Sequence, residues 1–203
     1  MRDYIRRKIE KWALKKIADS KAALESGAPT GDGKTYRYVN IADGYLHRYM
    51  RRGMDYKIFG WRPPFNIYIH KFCKSDDITP HDHPFYFFTY IVDGRYKEIK
   101  WDVEPKNKGL LASSVEHREQ GTLAFRKPTD LHTVQLYNQK LDDPPLPEDD
   151  GVLTICFIWR TPRIWGFVKP YKDGEDKVIG HTWINWFDYT GIKPNSEKHE
   201  GSE

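Results

Sequence analysis

HDHPFYFFTYIVDG, residues 81–94, is the stretch whose reading decides the fold of this chain. Its apolar run is aromatic and β-branched, has the length of a strand rather than a helix, and is bounded by Pro84 and Gly94. A single residue separates His81 from His83, so on an extended backbone both imidazoles point to the same face. A second stretch, GTLAFRKPTDLH at residues 121–132, runs from a short β-segment through a turn at Pro128 to His132. His132 opens the next run, HTVQLYN, and antiparallel pairing would bring it beside the first pair. Imidazoles converging in this way suit Fe(II), Zn(II), Ni(II), Mn(II) or Cu(II) and leave coordination positions open.

Working outward, short β-rich runs separated by turn residues extend in both directions. TYRYVNI, GYLHRYM and FNIYIHKFC precede the first stretch; RYKEIKW and VLTICFIWR follow it. Such spacing predicts a sandwich or barrel rather than a parallel α/β sheet. FYFFTYIV is apolar on both faces, as expected of a strand enclosed between two sheets. EPKNKGLLASSVEHREQ reads as a long polar hairpin or loop. Residues 1–27 read as an amphipathic helix with Ile5, Ile9, Trp12, Ile17 and Leu24 near one stripe and Gly27 as its stop. The barrel domain is expected over 28–190, opening with the linker GAPTGDGKT, and residues 191–203 as a disordered tail.

The two stretches resemble the paired motifs of the cupins. Residues His81, His83 and Gly94 match the first motif; Gly121, Pro128 and His132 match the second, with Pro128 one place nearer the histidine and without its following Gly. The resemblance covers roughly residues 60–170 and implies an all-β fold, a single cupin (double-stranded β-helix) barrel carrying an N-terminal α-helix, with a metal on His81, His83 and His132. Many cupins supply a Glu as a further ligand, and that position falls here at Phe87. A three-His set resembles the cysteine dioxygenase-like branch, and GRYKEIKW is similar to the strand after its first motif. That likeness implies Fe(II) as the cofactor and oxygen addition to a thiol. As a whole the chain resembles small uncharacterised cupins of phages and bacteria, in which SDD, HDHP and R-x-W-G-F also occur.

Other residues carry two readings each. His70 either points into the pocket beside the substrate or packs within the barrel, and Glu98 either reaches the metal or faces solvent. Asp82, beside the histidine pair, is either a carboxylate that orients an imidazole or part of a loop, whereas Asp76 and Asp77 read as turn residues. Arg160 and Arg163 either clamp an anionic group of the substrate at the barrel mouth or stack on Trp159 and Trp165. His117 and Glu119 mimic half of a facial triad but belong to the polar segment. Cys73 and Cys156 read as small core residues rather than nucleophiles.

Composition narrows the function classes. The formal net charge is +4, and only the N-terminal stretch is clearly cationic, so no nucleic-acid partner is expected. No apolar run is long enough to span a bilayer, and with two cysteines the chain reads as a cytoplasmic protein without a disulfide framework. The expected function is a mononuclear non-haem Fe(II) dioxygenase acting on a small polar or anionic molecule. The alternatives are a cupin that binds a ligand or partner without turnover, and a cupin isomerase or epimerase. A homodimer formed through edge strands is a further expectation.

Overall fold

The computed structural model describes residues 2–26, 38–41, 44–51, 64–77, 79–103, 109–137, 139–140, 142–160, 165–172, 178–185 and 188–189. The helix α1 (Arg2–Glu25) is followed by strands β1 (Tyr38–Ile41), β2 (Leu46–Arg51), β3 (Phe65–Phe72), β4 (Phe85–Asp93), β5 (Arg95–Val103) and β6 (Leu110–Glu119). Then come β7 (Leu123–Arg126), β8 (Leu131–Leu136), a 3-10 turn at Glu148–Asp150, β9 (Val152–Arg160), β10 (Gly166–Lys172) and β11 (Val178–Asn185). The predicted linker and tail lie outside the described residues.

Two antiparallel sheets make the barrel: a six-stranded sheet in the order β1-β2-β3-β9-β4-β7 and a three-stranded sheet in the order β6-β5-β8. The chain crosses from the larger sheet to the smaller after β4, so β4 and β5, joined by Gly94 alone, belong to different ones. Gly94 has φ +81, which lets the chain turn this corner in one residue, and a Cβ there would press on Val152 at 3.2 Å. His81 extends the smaller sheet as an isolated bridge, pairing with His132 of β8 on one side and Phe167 of β10 on the other. With His81 counted as the missing strand, the four-strand rows β3-β9-β4-β7 and His81-β8-β5-β6 are those of an eight-strand double-sheet roll.

The inner faces meet in two clusters, one of Ile91, Tyr96, Val134, Leu136 and Val152, the other of Phe87, Cys156 and Ile158. A third lies outside the six-stranded sheet, where Ala13 and Ile17 of α1 pack on Tyr49, Ile69, Val92, Leu153 and Ile155. The helix therefore rests on the barrel through a stripe containing Ala13 and Ser20, both fully buried, small enough for close approach. Glu148 fastens it, accepting from Lys21 Nζ at 3.0 Å and from the Tyr49 hydroxyl at 2.5 Å. Ile5, expected in the stripe, is 50% exposed.

Three local expectations change. The outward face of β4 is not enclosed by a second sheet: Tyr90 packs under α1, Phe88 meets Phe125 and Trp159, and Tyr86 is exposed. The polar segment before Gly121, read as a hairpin or loop, is in its described part a strand, β6, paired antiparallel with β5. As the outermost strand of its sheet it buries no side chain, so the apolar alternation that would have marked it is missing. β10 and β11 pair as a ribbon that the β-periodicity did not announce. Among the described residues no helix is long and apolar enough to cross a membrane.

Candidate metal centre

His81, His83 and His132 arrive from different places in the roll. His81 is the bridging residue, His83 precedes β4, and His132 is the second residue of β8. The bridge fixes the meeting: His81 N donates to His132 O and His132 N donates to His81 O, each at 3.1 Å. One nitrogen of each ring falls within 4.8 Å of the others, so the cluster can hold a divalent metal ion. The Nε2 atoms of His83 and His132 stand 2.8 Å apart, close to the ~3 Å between two imidazole nitrogens sharing one small ion at 2.0–2.1 Å.

The surroundings favour neutral imidazoles. Burial, reinforced by the neighbouring histidines, holds His83 and His132 well below the ordinary histidine range; for His132 the cations Arg126, Arg118 and Lys100 add to this. A neutral ring has one bare nitrogen, and its position depends on what the other nitrogen meets. His132 Nδ1 lies 2.8 Å from Glu98 Oε1, so the proton belongs on Nδ1 and Nε2 is left as the donor atom. Glu98 is 1% exposed and acts from the middle of β5, where it is clamped by Arg126 and by Arg118 Nε at 2.9 Å. From Arg118 the charges continue outward through Glu116 to Lys100.

Asp76 stands near His81, its Oδ2 3.9 Å from Nδ1, beyond hydrogen-bond reach. Burial raises its carboxyl, which accepts from Val134 N and from the Tyr45 hydroxyl. Asp82, for which the sequence left an orienting role and a loop role open, accepts from Gly166 N at 3.1 Å and from Trp183 Nε1 at 3.0 Å. It ties the β10–β11 ribbon against the rim, because alternation along 81–83 sends its side chain away from its neighbours'. Its backbone completes the tie, Asp82 N donating to Gly166 O at 3.0 Å. Gly166 is obligatory there, since a Cβ would fall 2.2 Å from the Trp183 ring. The ribbon also carries Trp165, stacked on His83 with ring centroids 5.8 Å apart.

Behind the histidines lies a cavity of about 180 Å³, walled by Phe72, Phe85, Phe87, Ile158 and Val134. That is smaller than the few hundred Å³ of drug-sized sites and suits a small ligand. Phe87 stands edge-on to His83, 4.8 Å between centroids, on the inner face of β4. His70 lines the cavity with both nitrogens engaged: Nε2 accepts from Arg48 Nε at 3.0 Å and Nδ1 faces Cys156 Sγ at 3.6 Å. Arg48 was not singled out in the sequence; its register opposite His70 on β3 is the feature that places it inside. Of the two arginines expected at the mouth, Arg160 is placed only as the end of β9, opposite Phe85, and Arg163 lies outside the described residues. His117 and Glu119 lie on exposed β6, where His117 meets the Tyr137 hydroxyl.

No known family profile matches the chain, and no curated protein matches it in sequence. Solved structures do. An RmlC-like cupin from Shewanella frigidimarina is similar at 16% identity over 66% of this chain and 93% of that one, with a TM-score of 0.39. An RmlC-like cupin from Ralstonia eutropha is similar at 14% identity over 83% and 87%, TM-score 0.38. A Klebsiella pneumoniae protein with a double-stranded β-helix domain is similar at 12% identity over 64% and 84%, TM-score 0.41. Likenesses this distant carry no argument of their own; the strand order of the two sheets does, and it is that of an eight-strand double-sheet roll, the double-stranded β-helix architecture that cupins share.

Proposed function

We propose that this cupin-fold chain is a mononuclear metal protein in which His81, His83 and His132 hold a divalent ion, Fe(II) first among the candidates. We further propose that it is a non-haem dioxygenase acting on a small polar or anionic molecule. One observation carries the reading: three imidazoles converge without a carboxylate among them, and the buried carboxylate nearby, Glu98, meets the far nitrogen of His132. Such a donor set is neutral and leaves open positions, so a bound divalent ion would keep its positive charge and supply Lewis acidity or, as iron, oxygen chemistry.

The chain's own residues would do the rest. Glu98 orients His132, Phe85 and Phe87 keep water from the inner side of the cluster, and Trp165 covers His83 from the ribbon. The test is metal analysis of protein purified without chelating resin, followed by oxygen-uptake measurements over small carboxylic acids and thiols. Iron with substrate-dependent oxygen uptake is the expected result. Protein that takes up no metal would overturn the reading in favour of a ligand-binding cupin; a redox-inert metal with substrate turnover would favour an isomerase.

A further inference from the structure

We infer that Arg48, on the cavity wall, is the anchor for a small monocarboxylate ligand, with His70 as the residue that positions it. The proposal deepens the reading above, and the description of that ligand as a substrate rests on it; the anchor itself does not.

Register builds the site. On the inner face of the six-stranded sheet, Arg48 of β2 stands opposite His70 of β3, His70 opposite Thr154 of β9, and Cys156 of β9 opposite Thr89 of β4. Hydrogen bonds link this row. Because Arg48 Nε–H donates to His70 Nε2, the His70 proton sits on Nδ1 and is directed at Cys156 Sγ. The sulfur also has Thr89 Oγ1 at 3.5 Å and Thr154 Oγ1 at 3.9 Å. Burial and the charge of Arg48 hold His70 well below the ordinary histidine range, so it stays the neutral acceptor this arrangement needs.

Arg48 is thereby oriented from one side only. Its guanidinium carbon lies 5.2 Å from the centre of the Tyr68 ring, and its Nε is taken by His70. Among the described residues no carboxylate forms a hydrogen bond or ion pair with it, unlike Arg118 and Arg126, which share Glu98. Burial opposes the charge of Arg48, and a cation withdrawn from water without a counter-ion favours an anion arriving beside it. The terminal nitrogens form the planar pair that a carboxylate matches with two parallel bonds. One uncompensated charge fits a monoanion rather than a doubly charged phosphate. The cavity that Arg48 shares with the three histidines is small, and Phe72, Phe85, Phe87 and Ile158 give it an apolar wall, which fits a short hydrocarbon body.

The experiment titrates propionate and its neutral isostere propionamide into metal-free and metal-loaded protein by NMR, following the Arg48 Nε–H signal and, in variants, indole N–H signals. Wild-type protein should bind propionate at least tenfold tighter than propionamide in both forms. Arg48→Gln should erase that preference, and Arg48→Lys, which keeps the charge without the fork, should retain part of it. His70→Leu should lower the preference severalfold although the cation remains, and a merely structural role would not move this ratio. Thermal unfolding identifies any variant that does not fold, in which case Arg48→Lys decides. No preference in wild type, or a preference that survives Arg48→Gln, overturns the proposal. A preference that survives in a protein unable to take up metal supports the anchor and overturns the metal reading instead.

Discussion

Two regions of one cavity place neutral histidines in opposite company. At the rim, His132 turns its Nδ1 to a carboxylate, Glu98; on the opposite sheet, His70 turns its Nε2 to a guanidinium, Arg48. Both rings are buried and both are held neutral by that burial. The partner decides what remains. Glu98 accepts a hydrogen bond from Nδ1–H and leaves His132 with a bare nitrogen facing His83, whereas Arg48 takes up the lone pair of His70 and leaves only an N–H. Residue type and burial are shared, so the difference in chemistry comes from the charge of one neighbour.

The largest effect that would break this comparison is at His132. His132→Ala should remove most bound metal, measured by elemental analysis, while circular dichroism shows a folded β protein. Full occupancy in that variant would sink the ligand assignment. Glu98→Gln should lower metal affinity about 10–100-fold. It should also destabilise the fold by about 3–5 kcal/mol in denaturant titration, because Arg118 and Arg126 lose their shared buried carboxylate. At the other end, Arg48→Gln should leave metal affinity within about twofold, so an equal loss from both variants would erase the distinction drawn here.

Acid sharpens the same point. His70, His83 and His132 bind a proton less readily in the folded chain than in the unfolded one, whose histidines titrate near 6.5. The unfolded state therefore takes up more protons below that pH. Stability of the metal-free protein should be flat above it and fall as pH drops from 6.5 toward the depressed folded values, by up to ~1.4 kcal/mol per pH unit for each ring. A metal-free protein equally stable at pH 7.5 and pH 5 would contradict the burial argument for all of these rings. The smallest effect is expected outside the cavity. Asp82→Ala removes the acceptor of Gly166 N and of Trp183 Nε1, costing about 1–3 kcal/mol, and metal affinity should not change.

Much of the barrel was legible because its signals are local. Alternation, turn residues and the spacing of His81, His83, Gly121 and His132 need only neighbouring residues to be read, and the structure brings those histidines within 4.8 Å of one another. β6 escaped for the converse reason: an edge strand wetted on both faces has no alternation to show. The carboxylates near the rings stayed open in the sequence for a similar cause. Asp82 is adjacent in sequence but points to the ribbon, whereas Glu98, fifteen or more residues from any of the three, becomes their neighbour only when β5 pairs with β8.

By itself, then, the sequence determined the all-β architecture, the helix at its start and which histidines share a face, since strand periodicity and turn chemistry act over a few residues. Only the tertiary structure decided which charges those histidines meet. Arg48 reaches His70, and Glu98 reaches His132, through cross-strand registers that β-pairing sets after folding. A one-residue slip in either register would send the partner to the opposite face of its sheet and leave the imidazole's tautomer without its determinant.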